Sequence, residues 1–370
     1  MKKARQISDI SSLAEEILGD IFSRLPVKTL LRLKVVCTRW CTLISTPWFI
    51  SAQLNRFSSD PENHYILFQN LSRNGLIRIR NPGCLIKLNE PCMSKYTVVG
   101  SFNGLVCLTT NCFRKLICLW NPSINQFKIL PMHNLNLKRK HKCNVRVGFG
   151  YEQNSDDYKV MRILNYEIGG PATIVEVYST KLECWRDVKT NHCLNMTSGS
   201  CDVIVEGFTY WLIRNLNGVP RKPVLASFDL KRERFSLIPV PEVVTSQHFR
   251  AMNYHGSLAL LAHSSHNEFK GSLDVWMIVG GSSGEEVWQK KFTFGMDFEF
   301  SRHWGLTSGD IVVKNAPNMP FLFNLRTKQL RIIGTRSIHS VFYYTESLVS
   351  VKGFKPVTNQ SKEKRKASCL

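Results

Sequence analysis

Three cysteines in one short stretch are the nearest that the sequence comes to a metal-ligand set. Cys107, Cys112 and Cys118 lie within "CLTTNCFRKLIC", and thiolates at suitable spacing bind zinc. Their spacing fits no zinc pattern, and no CxxC pair occurs among the 12 cysteines. We therefore expect reduced cysteines on buried strands, with no metal and no cofactor.

Two further stretches hold groups that could bind ions. Asp156 and Asp157 could contact a cation, but calcium requires about six or more oxygens. "GGSSGEE", residues 280–286, has the glycines of a phosphate-binding loop but precedes a strand pattern, whereas such loops precede helices. We expect turns at both places. The ten histidines form no His, Asp and Ser arrangement and no HExxH motif, so the chain is predicted not to be an enzyme.

The composition indicates a folded chain whose basic excess is spread out. Hydrophobic residues make up 43% and charged residues 21% of 370 residues, and the net charge is +21. The one tight basic cluster, residues 138–142, has no interleaved aromatic residues of the kind that stack on bases, so we expect no nucleic-acid partner. No stretch is apolar enough to span a bilayer and no signal peptide is evident, so no membrane partner is expected.

The elements that position any binding residues begin with a small helical unit. In "SSLAEEILGDIFSRL", Ser12 and Glu15 form a capping box that predicts a helix starting at Ser12. Pro26 ends this helix and opens a second one. A third helix is predicted through Trp40 and Ile44, with Pro47 just beyond its end.

The first helix carries apolar residues on two faces. Leu13, Ile17 and Ile21 form one stripe, and a second stripe includes Leu18 and Phe22. A three-helix unit of about 45 residues cannot bury both faces alone. Either the rest of this chain covers the second face or a partner protein does, through helix-in-groove contacts.

Residues 13–49, "LAEEILGDIFSRLPVKTLLRLKVVCTRWCTLISTPWF", resemble the F-box pattern "LP.K.LLR...VC..W..LI..P.F". Ala14 departs from it, because the family usually has proline there. The resemblance implies docking to a Skp-family adaptor and, through it, to cullin and RING subunits of a ubiquitin ligase. It also implies an adaptor-facing set, some members of which must instead be internal core. The set comprises Leu13, Ile17, Leu18, Ile21, Leu25, Pro26, Leu30, Leu31, Val35, Cys37, Trp40, Leu43 and Ile44.

From residue 64 onward, short alternating runs between turn residues predict an all-β fold. Five hairpin-like segments recur about every 50 residues. Their first large apolar residues are Trp120, Tyr178, Phe228, Trp276 and Phe323. In four of them a second large apolar residue follows seven positions later, and in the fourth segment Trp288 follows after a longer turn. Another strand precedes each anchor.

About four strands in about 50 residues predicts a β-propeller blade, and residues 64–353 provide for about six. The sixth blade would pair "HYILFQN" and "GLIRIRN" with "SVFYYTESLVSV" and so close the ring. A twisted β-sandwich is the alternative. The chain is thus predicted to be an α+β multidomain protein: a flexible N-terminus (1–10), a three-helix F-box (11–56), a linker (57–63), the β domain (64–353) and a disordered basic tail (354–370).

The motifs "VVGSFNGLVCL", "LWNPSINQFKILP", "VGFGYEQNSDDYKVMRI" and "VEVYSTKLECWRDV" resemble the F-box-associated domain, type 1, of plant F-box proteins. With the F-box, this resemblance covers nearly the whole chain. It implies a non-catalytic substrate receptor that holds a target protein beside a ubiquitin ligase, for ubiquitination and proteasomal degradation. The alternative is a propeller-type small-molecule receptor or enzyme that carries an F-box.

Irregular loops on one propeller face are the expected target-binding surface. "HNLNLKRKHK", "RNLNGVPRKP" and "HSSHNEFK" are the candidates, and the first two are basic, which favours an acidic target. The sequence does not identify that target, and it leaves both cytoplasm and nucleus open as locations. The basic residues that these loops contribute are Lys138, Arg139, Lys140, Lys142, Arg221 and Lys222.

Overall fold

A computed structural model gives the fold of the chain. The predicted flexible N-terminus and most of the predicted tail lie outside the described residues, within 1–12 and 358–370. The residues that the structure describes are 13–60, 63–70, 75–80, 84–88, 90–91, 96–110, 116–132, 143–166, 173–190, 194, 196, 201–216, 219–245, 249–264, 272–280, 286–295, 300–305, 310–315, 319–325, 327–333 and 338–357.

The N-terminal unit has four helices within the described residues, one more than predicted: α1 (Glu15–Ser23), α2 (Val27–Leu33), α3 (Thr38–Ser45) and α4 (Pro47–Ser59). Helix α1 starts later than predicted, because Ala14 occupies the N-cap without a side-chain capping bond. Ser12 lies outside the described residues. Pro26 is the N-cap of α2, so the predicted helix boundary there is confirmed.

The fourth helix corrects the interpretation of Pro47. Pro47 occupies the first turn of α4, and the Thr46 hydroxyl accepts a hydrogen bond from the Phe49 amide at 3.2 Å. Proline is favoured at the start of a helix, because a backbone N–H at that position would have no acceptor within the helix. The helix extends to Ser59, so the predicted linker at 57–63 begins as helix.

The β domain contains 25 strands among the described residues, and a short helix α5 (Glu242–Thr245) lies between two of them. The strands are β1 (His64–Asn70), β2 (Gly75–Arg80), β3 (Cys84–Lys87), β4 (Tyr96–Phe102), β5 (Leu105–Thr110), β6 (Ile117–Asn121), β7 (Gln126–Ile129), β8 (Cys143–Glu152), β9 (Asp157–Tyr166), β10 (Ile174–Ser179), β11 (Cys184–Val188), β12 (Val203–Val205), β13 (Phe208–Leu216), β14 (Val219–Asp229), β15 (Arg234–Pro239), β16 (Phe249–Tyr254), β17 (Ser257–Ser264), β18 (Ser272–Gly280), β19 (Glu286–Gly295), β20 (Phe300–Gly305), β21 (Asp310–Asn315), β22 (Pro320–Asn324), β23 (Leu330–Ile332), β24 (Ile338–Thr345) and β25 (Lys355–Pro356).

These strands form antiparallel sheets in which neighbours along the chain are paired. We number the sheets along the chain: the first is β4–β7 with β25 added at its outer edge, the second β8–β11, the third β12–β15, the fourth β16–β19 and the fifth β20–β23. The closing sheet has the order β24-β1-β2-β3. It joins the two ends of the domain, which confirms the predicted pairing of the early and late strands.

All five predicted hairpins are present, and their register explains the repeat. Trp120 pairs with Phe127, Tyr178 with Trp185, Phe228 with Phe235 and Phe323 with Leu330. Directly opposed residues of an antiparallel pair share one face, so the spacing of seven places two large side chains side by side. In the fourth sheet the turn is longer, so Trp276 pairs with Lys290 and Trp288 pairs with Ile278. A bulge then shifts the register between Trp276 and Val275.

A left-handed backbone residue recurs in these hairpin turns. Asn125, Glu183, Glu233 and Lys328 have φ values of 55°, 56°, 54° and 56°. Each lies five positions after the anchor residue of its hairpin. A turn of this kind places one residue in the left-handed region, where non-glycine side chains are uncommon. Its side chain is thereby directed in the same way in each sheet.

The sheets are arranged radially, as in a β-propeller. The innermost strands of successive sheets contact each other: β24 contacts β4, β4 contacts β8, β12 contacts β16, and β16 contacts β20. Separate hydrophobic clusters lie between adjacent sheets, for example between the fourth and fifth. The twisted β-sandwich, in which two sheets pack face to face, is therefore excluded.

The end of the β domain also differs from prediction. The domain was expected to end at residue 353, but β25 (Lys355–Pro356) pairs with β7. The Val357 amide then donates to the Asn125 carbonyl at 2.9 Å. The first residues of the predicted basic tail are therefore part of the first sheet.

Candidate functional site

The helical unit exposes part of the apolar set that the sequence singles out. Ile17 is 51% exposed, Ile21 44% and Val35 85%. Pro26 and Cys37 are also exposed. Ile17 and Ile21 are one turn apart on α1, so their side chains form a stripe on the side away from the helical core. We refer to the three exposed side chains Ile17, Ile21 and Val35 together as the apolar face.

Four predicted members of the adaptor-facing set do not reach that surface. Leu18, Leu30, Leu43 and Ile44 are buried, and they form the core of the helical unit together with Phe22, Val27 and Phe49. Helices this short need one apolar stripe each for their own packing, and periodicity does not show which stripe turns inward.

The remaining four members are half-buried. Leu13, Leu25, Leu31 and Trp40 pack at the margin of the core. The Trp40 ring meets the Phe22 ring edge-on, with centroids 5.1 Å apart. These side chains connect the core with the apolar face and leave only part of their surface for a partner. Val36, which is 60% exposed beside Val35, was missed because its spacing matched the third predicted helix.

Charged contacts fix the orientation of α1 against α4. The Asp20 carboxylate accepts hydrogen bonds from Arg24 at 2.9 Å and from Arg56 on α4 at 2.8 Å. The Arg24 hydrogen bond is the main reason that the pKa of Asp20 is lowered, and Arg56 contributes further. Arg39 also donates to the Leu13 carbonyl at 2.6 Å, which holds the start of α1 against α3.

The helical unit is joined to the β domain by a segment far away in sequence. Leu348, just after β24, is a buried member of the helical core, and Ile124 from the β6–β7 turn packs against it. Part of the chain's own β domain therefore covers one side of the helical unit. No local sequence signal predicted this junction, because Leu348 lies outside any periodic helix pattern.

Hydrogen bonds hold the junction segment in place. The buried Asn121 side-chain amide donates to the Ser347 carbonyl at 3.0 Å and to the Val349 carbonyl at 2.8 Å. The Ser347 hydroxyl donates to the Asn103 carbonyl at 2.8 Å. Gly104, at φ 78°, lies so close to Ser347 that a side chain would collide with it. Leu348 is thus held at a defined position between the two domains.

The predicted target-binding residues are mostly beyond the part of the chain that the structure describes. Lys138, Arg139, Lys140 and Lys142 lie there, as do residues 265–270 of the third candidate loop. Arg221 and Lys222 are not in an irregular loop as predicted, because they belong to β14, which pairs with β13. Valine and leucine on both sides of the turn extend this hairpin further than its Asn, Gly and Pro residues suggested.

The groups considered for catalysis have structural roles where they are described. Cys107 and Cys118 are buried on β5 and β6, as expected, and burial raises the pKa of Cys107, while Cys112 lies outside the described residues. The Asp157 carboxylate accepts hydrogen bonds from the Ser179 and Thr180 hydroxyls at 2.6 and 3.0 Å. Asp156 lies in the β8–β9 turn and accepts from the Tyr151 hydroxyl. Gly280 pairs with Glu286, so the glycine-rich stretch connects a hairpin.

Among the described residues, no group of three or more His, Cys, Asp or Glu side chains could hold a metal ion. Likewise, none of the helices in this part of the chain is both long and apolar enough to cross a membrane.

Ion pairs clamp the second sheet to its neighbours. Glu183 in the β10–β11 turn accepts from Lys128 on β7 and from Lys352, each at 2.7 Å. These two lysines lower the pKa of Glu183 to about 2. Glu233, at the equivalent position of the third sheet, accepts from Lys159 at 2.9 Å and from Arg186. Burial would raise the pKa of Glu233, but the hydrogen bonds from Arg186 and Lys159 outweigh it, and the pKa is lowered.

Comparison with known families gives two matches that together cover most of the chain. Residues 10–51 match the F-box domain, and residues 58–352 match the F-box associated beta propeller domain, in its type 3 form and not the type 1 that the motifs suggested. The second match spans well over half of the chain.

The most similar relatives include three proteins of Arabidopsis thaliana. F-box protein At3g07870 is 25% identical over 343 residues, covering 84% of this chain and 79% of the relative. F-box protein CPR1 is 26% identical over 77% of this chain and 73% of its own length. F-box/kelch-repeat protein At3g23880 is 26% identical over 64% of this chain and 68% of its own length.

Proposed function

We propose, from the premise that this chain belongs to the plant F-box proteins with an F-box associated β-propeller domain, that it is the substrate-recognition subunit of a Skp-cullin-F-box ubiquitin ligase. The helical unit binds a Skp-family adaptor and, through it, the cullin and RING subunits. The propeller holds a target protein, which is ubiquitinated and then degraded by the proteasome. The receptor acts without catalysis of its own, in the cytoplasm, the nucleus or both.

The observation that carries this proposal is the apolar face of the helical unit. Ile17, Ile21 and Val35 remain exposed although Leu348 and Ile124 of the β domain cover another side of the same unit. Clusters of exposed large apolar residues mark protein-binding surfaces in soluble proteins. An adaptor that contributes apolar helices would bury these side chains, and such central apolar contacts supply most of the binding energy of an interface.

The arrangement of strands supports separate roles for the two faces of the propeller, with the helical unit on one face and the target on the other. We infer that each sheet is one blade, which makes six. In each antiparallel blade the first and third connections lie on one face and the second lies on the other. The helical unit packs on the first of these faces, at Ile124 and at the segment beside Asn103. The strands that flank the three candidate target loops, such as β17 and β18, meet at the opposite face.

The junction between the helical unit and the propeller would fix the position of a target bound on the far face. Because Leu348 is part of the helical core and its neighbours are bound by Asn121, the propeller and the helical unit have one fixed relative orientation. A target on the far face would then be held at a constant distance from the ligase. Proximity of this kind raises the local concentration of target lysines beside the ubiquitin-conjugating enzyme.

The test is co-purification of the full chain with a Skp-family adaptor, using the double substitution Ile17→Asp with Ile21→Asp. Two exposed carboxylates change the folded chain little but would be desolvated in the complex, so we expect adaptor affinity to fall at least about tenfold. Leu182→Asp, at a 60% exposed position of the propeller, is the matched control and is expected to bind normally. Unchanged adaptor binding by the double variant would contradict the proposed surface.

Ubiquitin transfer separates this function from the alternative of a propeller enzyme or small-molecule receptor. We expect the chain with adaptor, cullin and RING subunits to support ubiquitin transfer to a captured target, and the double variant to lose it. Capture of that target should weaken when Lys138, Arg139, Lys140 and Lys142 are replaced by alanine. A turnover or metal signal from the β domain, without ubiquitin transfer, would favour the alternative.

A further inference from the structure

The interface between the fourth and fifth sheets leaves large apolar side chains exposed at its outer end. On β19, the outermost strand of the fourth sheet, Val287 is 53% and Phe292 37% exposed. On β23, the outermost strand of the fifth sheet, Leu330 is 46% and Ile332 70% exposed. These four side chains are among the most exposed large apolar groups in the described part of the propeller.

The strand register shows that these side chains face each other. Phe292 pairs with Val275, and Val287 pairs with Val279, two positions beyond Met277 on the same face. In the fifth sheet Leu330 pairs with Phe323, and Ile332 with Phe321. Paired residues share a face. Val275 and Phe323 belong to the hydrophobic cluster between the two sheets, and Met277 and Phe321 pack against it.

The exposed residues therefore extend that cluster outward as two apolar walls. The rings of Phe294 and Phe323 meet across this interface with centroids 6.3 Å apart. Val287 and Phe292 line the wall on the fourth sheet, and Leu330 and Ile332 line the wall on the fifth. We call this feature the outer groove.

At the two interfaces of the second sheet, the corresponding position is filled by an ion pair. In the first sheet Lys128 pairs with Leu119, the residue before the anchor Trp120. In the second sheet Arg186 pairs with Val177, the residue before the anchor Tyr178. In the fourth sheet the equivalent residue is Phe292, which pairs with Val275, the residue before the anchor Trp276. The turn residue that receives the cation is Glu183 in the second sheet and Glu233 in the third, but Lys328 in the fifth. The fourth–fifth interface thus has an aromatic ring in place of the cation and a lysine in place of the carboxylate.

The rim of the outer groove is positively charged. Lys328 is exposed in the β22–β23 turn. Lys291 is the extra residue of the β19 bulge, and it lies on the groove side because its ammonium donates to the side-chain oxygen of Gln289, which pairs with Met277. Lys290 points to the other face, 3.7 Å from the Asp274 carboxylate. Two lysines therefore border an apolar surface, and the turn residue that is a glutamate at the two interfaces of the second sheet is Lys328 here.

We propose that the outer groove binds a segment of a partner protein in which apolar side chains are flanked by carboxylates. The apolar residues would cover the two walls, and the carboxylates would take the place of the missing Glu beside Lys291 and Lys328. A second copy of this chain is disfavoured because it would bring the same lysines. The chain's own tail, residues 358–370, is disfavoured because it has four basic residues and one acidic residue.

This surface is separate from the apolar face of the helical unit and from the three candidate target loops. The proposal does not depend on the ligase function, because it follows from the contrast between equivalent positions of one repeat. Loss of adaptor binding in the Ile17→Asp, Ile21→Asp variant would leave it untouched.

The test uses the full chain and three labelled dodecapeptides in fluorescence anisotropy. The first alternates leucine with glutamate, the second serine with glutamate, and the third leucine with lysine. We expect measurable binding of the first peptide only, weakening with added salt because the carboxylates contribute. Equal binding of the serine peptide would indicate attraction to net charge alone and would overturn the proposal, as would failure of the leucine–glutamate peptide to bind.

Two variants locate the peptide. Val287→Ser with Ile332→Ser removes one exposed apolar side chain from each wall, and we expect at least a tenfold loss of affinity. Phe292→Lys with Lys328→Glu rebuilds the ion pair seen at the interfaces of the second sheet, and we expect it to abolish binding while the fold is retained. Leu182→Ser with Met132→Ser, at exposed positions elsewhere, is the control.

An equal loss in the control, or unchanged binding in both groove variants, would refute the assignment. Self-association of the wild-type chain in sedimentation that disappears in Val287→Ser with Ile332→Ser would assign the groove to a second copy instead, and would likewise overturn the proposal.

Discussion

The interfaces around the second sheet and the interface between the fourth and fifth sheets are formed by the same repeat, but they differ in the residues at their outer ends. Around the second sheet, the core is continuous with Trp211, Phe228 and Met161, and its outer end is closed by Lys128–Glu183 and Arg186–Glu233. Between the fourth and fifth sheets, Phe292 and Lys328 occupy those positions.

The comparison separates two roles that one repeat position can serve. A cation and a carboxylate at the outer end satisfy each other and exclude a ligand. Phe292 and Lys328 do not form such an ion pair, so the aromatic ring leaves apolar surface at the outer end and the lysine leaves a positive charge. The repeat thereby maintains the fold in one place and provides a surface for recognition in another.

Glycine substitutions give the largest expected contrast. A side chain on Gly148 would collide with the Trp211 ring and with Met161 between the second and third sheets. We expect Gly148→Ala to lower the free energy of unfolding by about 3 kcal/mol. Gly295→Ala, where a side chain would meet nothing within 4 Å, is the matched control and should be neutral or slightly stabilising. Urea denaturation of both variants measures the difference, and equal stabilities would contradict the contrast.

The clamp at Glu233 predicts a smaller loss. Glu233→Gln keeps the shape of the side chain but leaves the buried Lys159 ammonium with the Leu230 carbonyl and without its ion-pair partner. We expect a cost of about 2 kcal/mol in the free energy of unfolding. Glu206→Gln is the control, because Glu206 is an exposed turn residue that also has positive φ. A similar effect of both substitutions would show that the turn conformation matters and the clamp does not.

The clamp at Glu183 predicts a pH dependence. Lys128 and Lys352 lower its pKa from the ordinary 4.5 to about 2. Because the folded state holds this carboxylate ionised, its contribution is fully present above about pH 4.5 and is lost as the pH falls toward 2. We expect the stability difference between wild type and Glu183→Gln to shrink over that range in urea titrations. A difference that stays constant from pH 5 to pH 2.5 would count against the clamp.

The smallest effect is expected in the outer groove. Ile332→Ser changes an exposed side chain, so we expect stability to change by no more than about 0.5 kcal/mol. Leu237→Ser, at the equivalent repeat position of the third sheet and partly buried against the core, should cost about 2 kcal/mol. Thermal unfolding of both variants checks the pair. A large loss for Ile332→Ser would mean that the groove is closed in solution.

Much of the architecture could be predicted because it depends on short-range patterns. The spacing between Trp120 and Phe127 predicts a hairpin since the two residues pair across one turn. The helical spacing of α1 and the position of Pro26 predict the first helix boundary in the same way. Pro47 was misread because a proline can follow one helix or open the next, and only the Thr46 cap distinguishes the two.

The binding surfaces could be predicted only in part. The sequence placed Ile17 and Ile21 on one stripe of α1 and Leu18 on another, but it did not show which stripe turns inward; Leu18 is buried and the two isoleucines are exposed. Which stripe is covered depends on residues such as Leu348, more than 300 positions away along the chain. The outer groove was not predicted, because its two walls come from different sheets.

The sequence by itself determined the first three helices, the hairpins and their repeat, since each rests on side chains within one or two turns of chain. Only the tertiary structure decided which apolar residues are buried, how the ring closes and where the helical unit is attached. The physical reason is that burial and charge pairing are properties of neighbours in space. In a closed ring those neighbours, such as Asn121 and Ser347, belong to opposite ends of the domain.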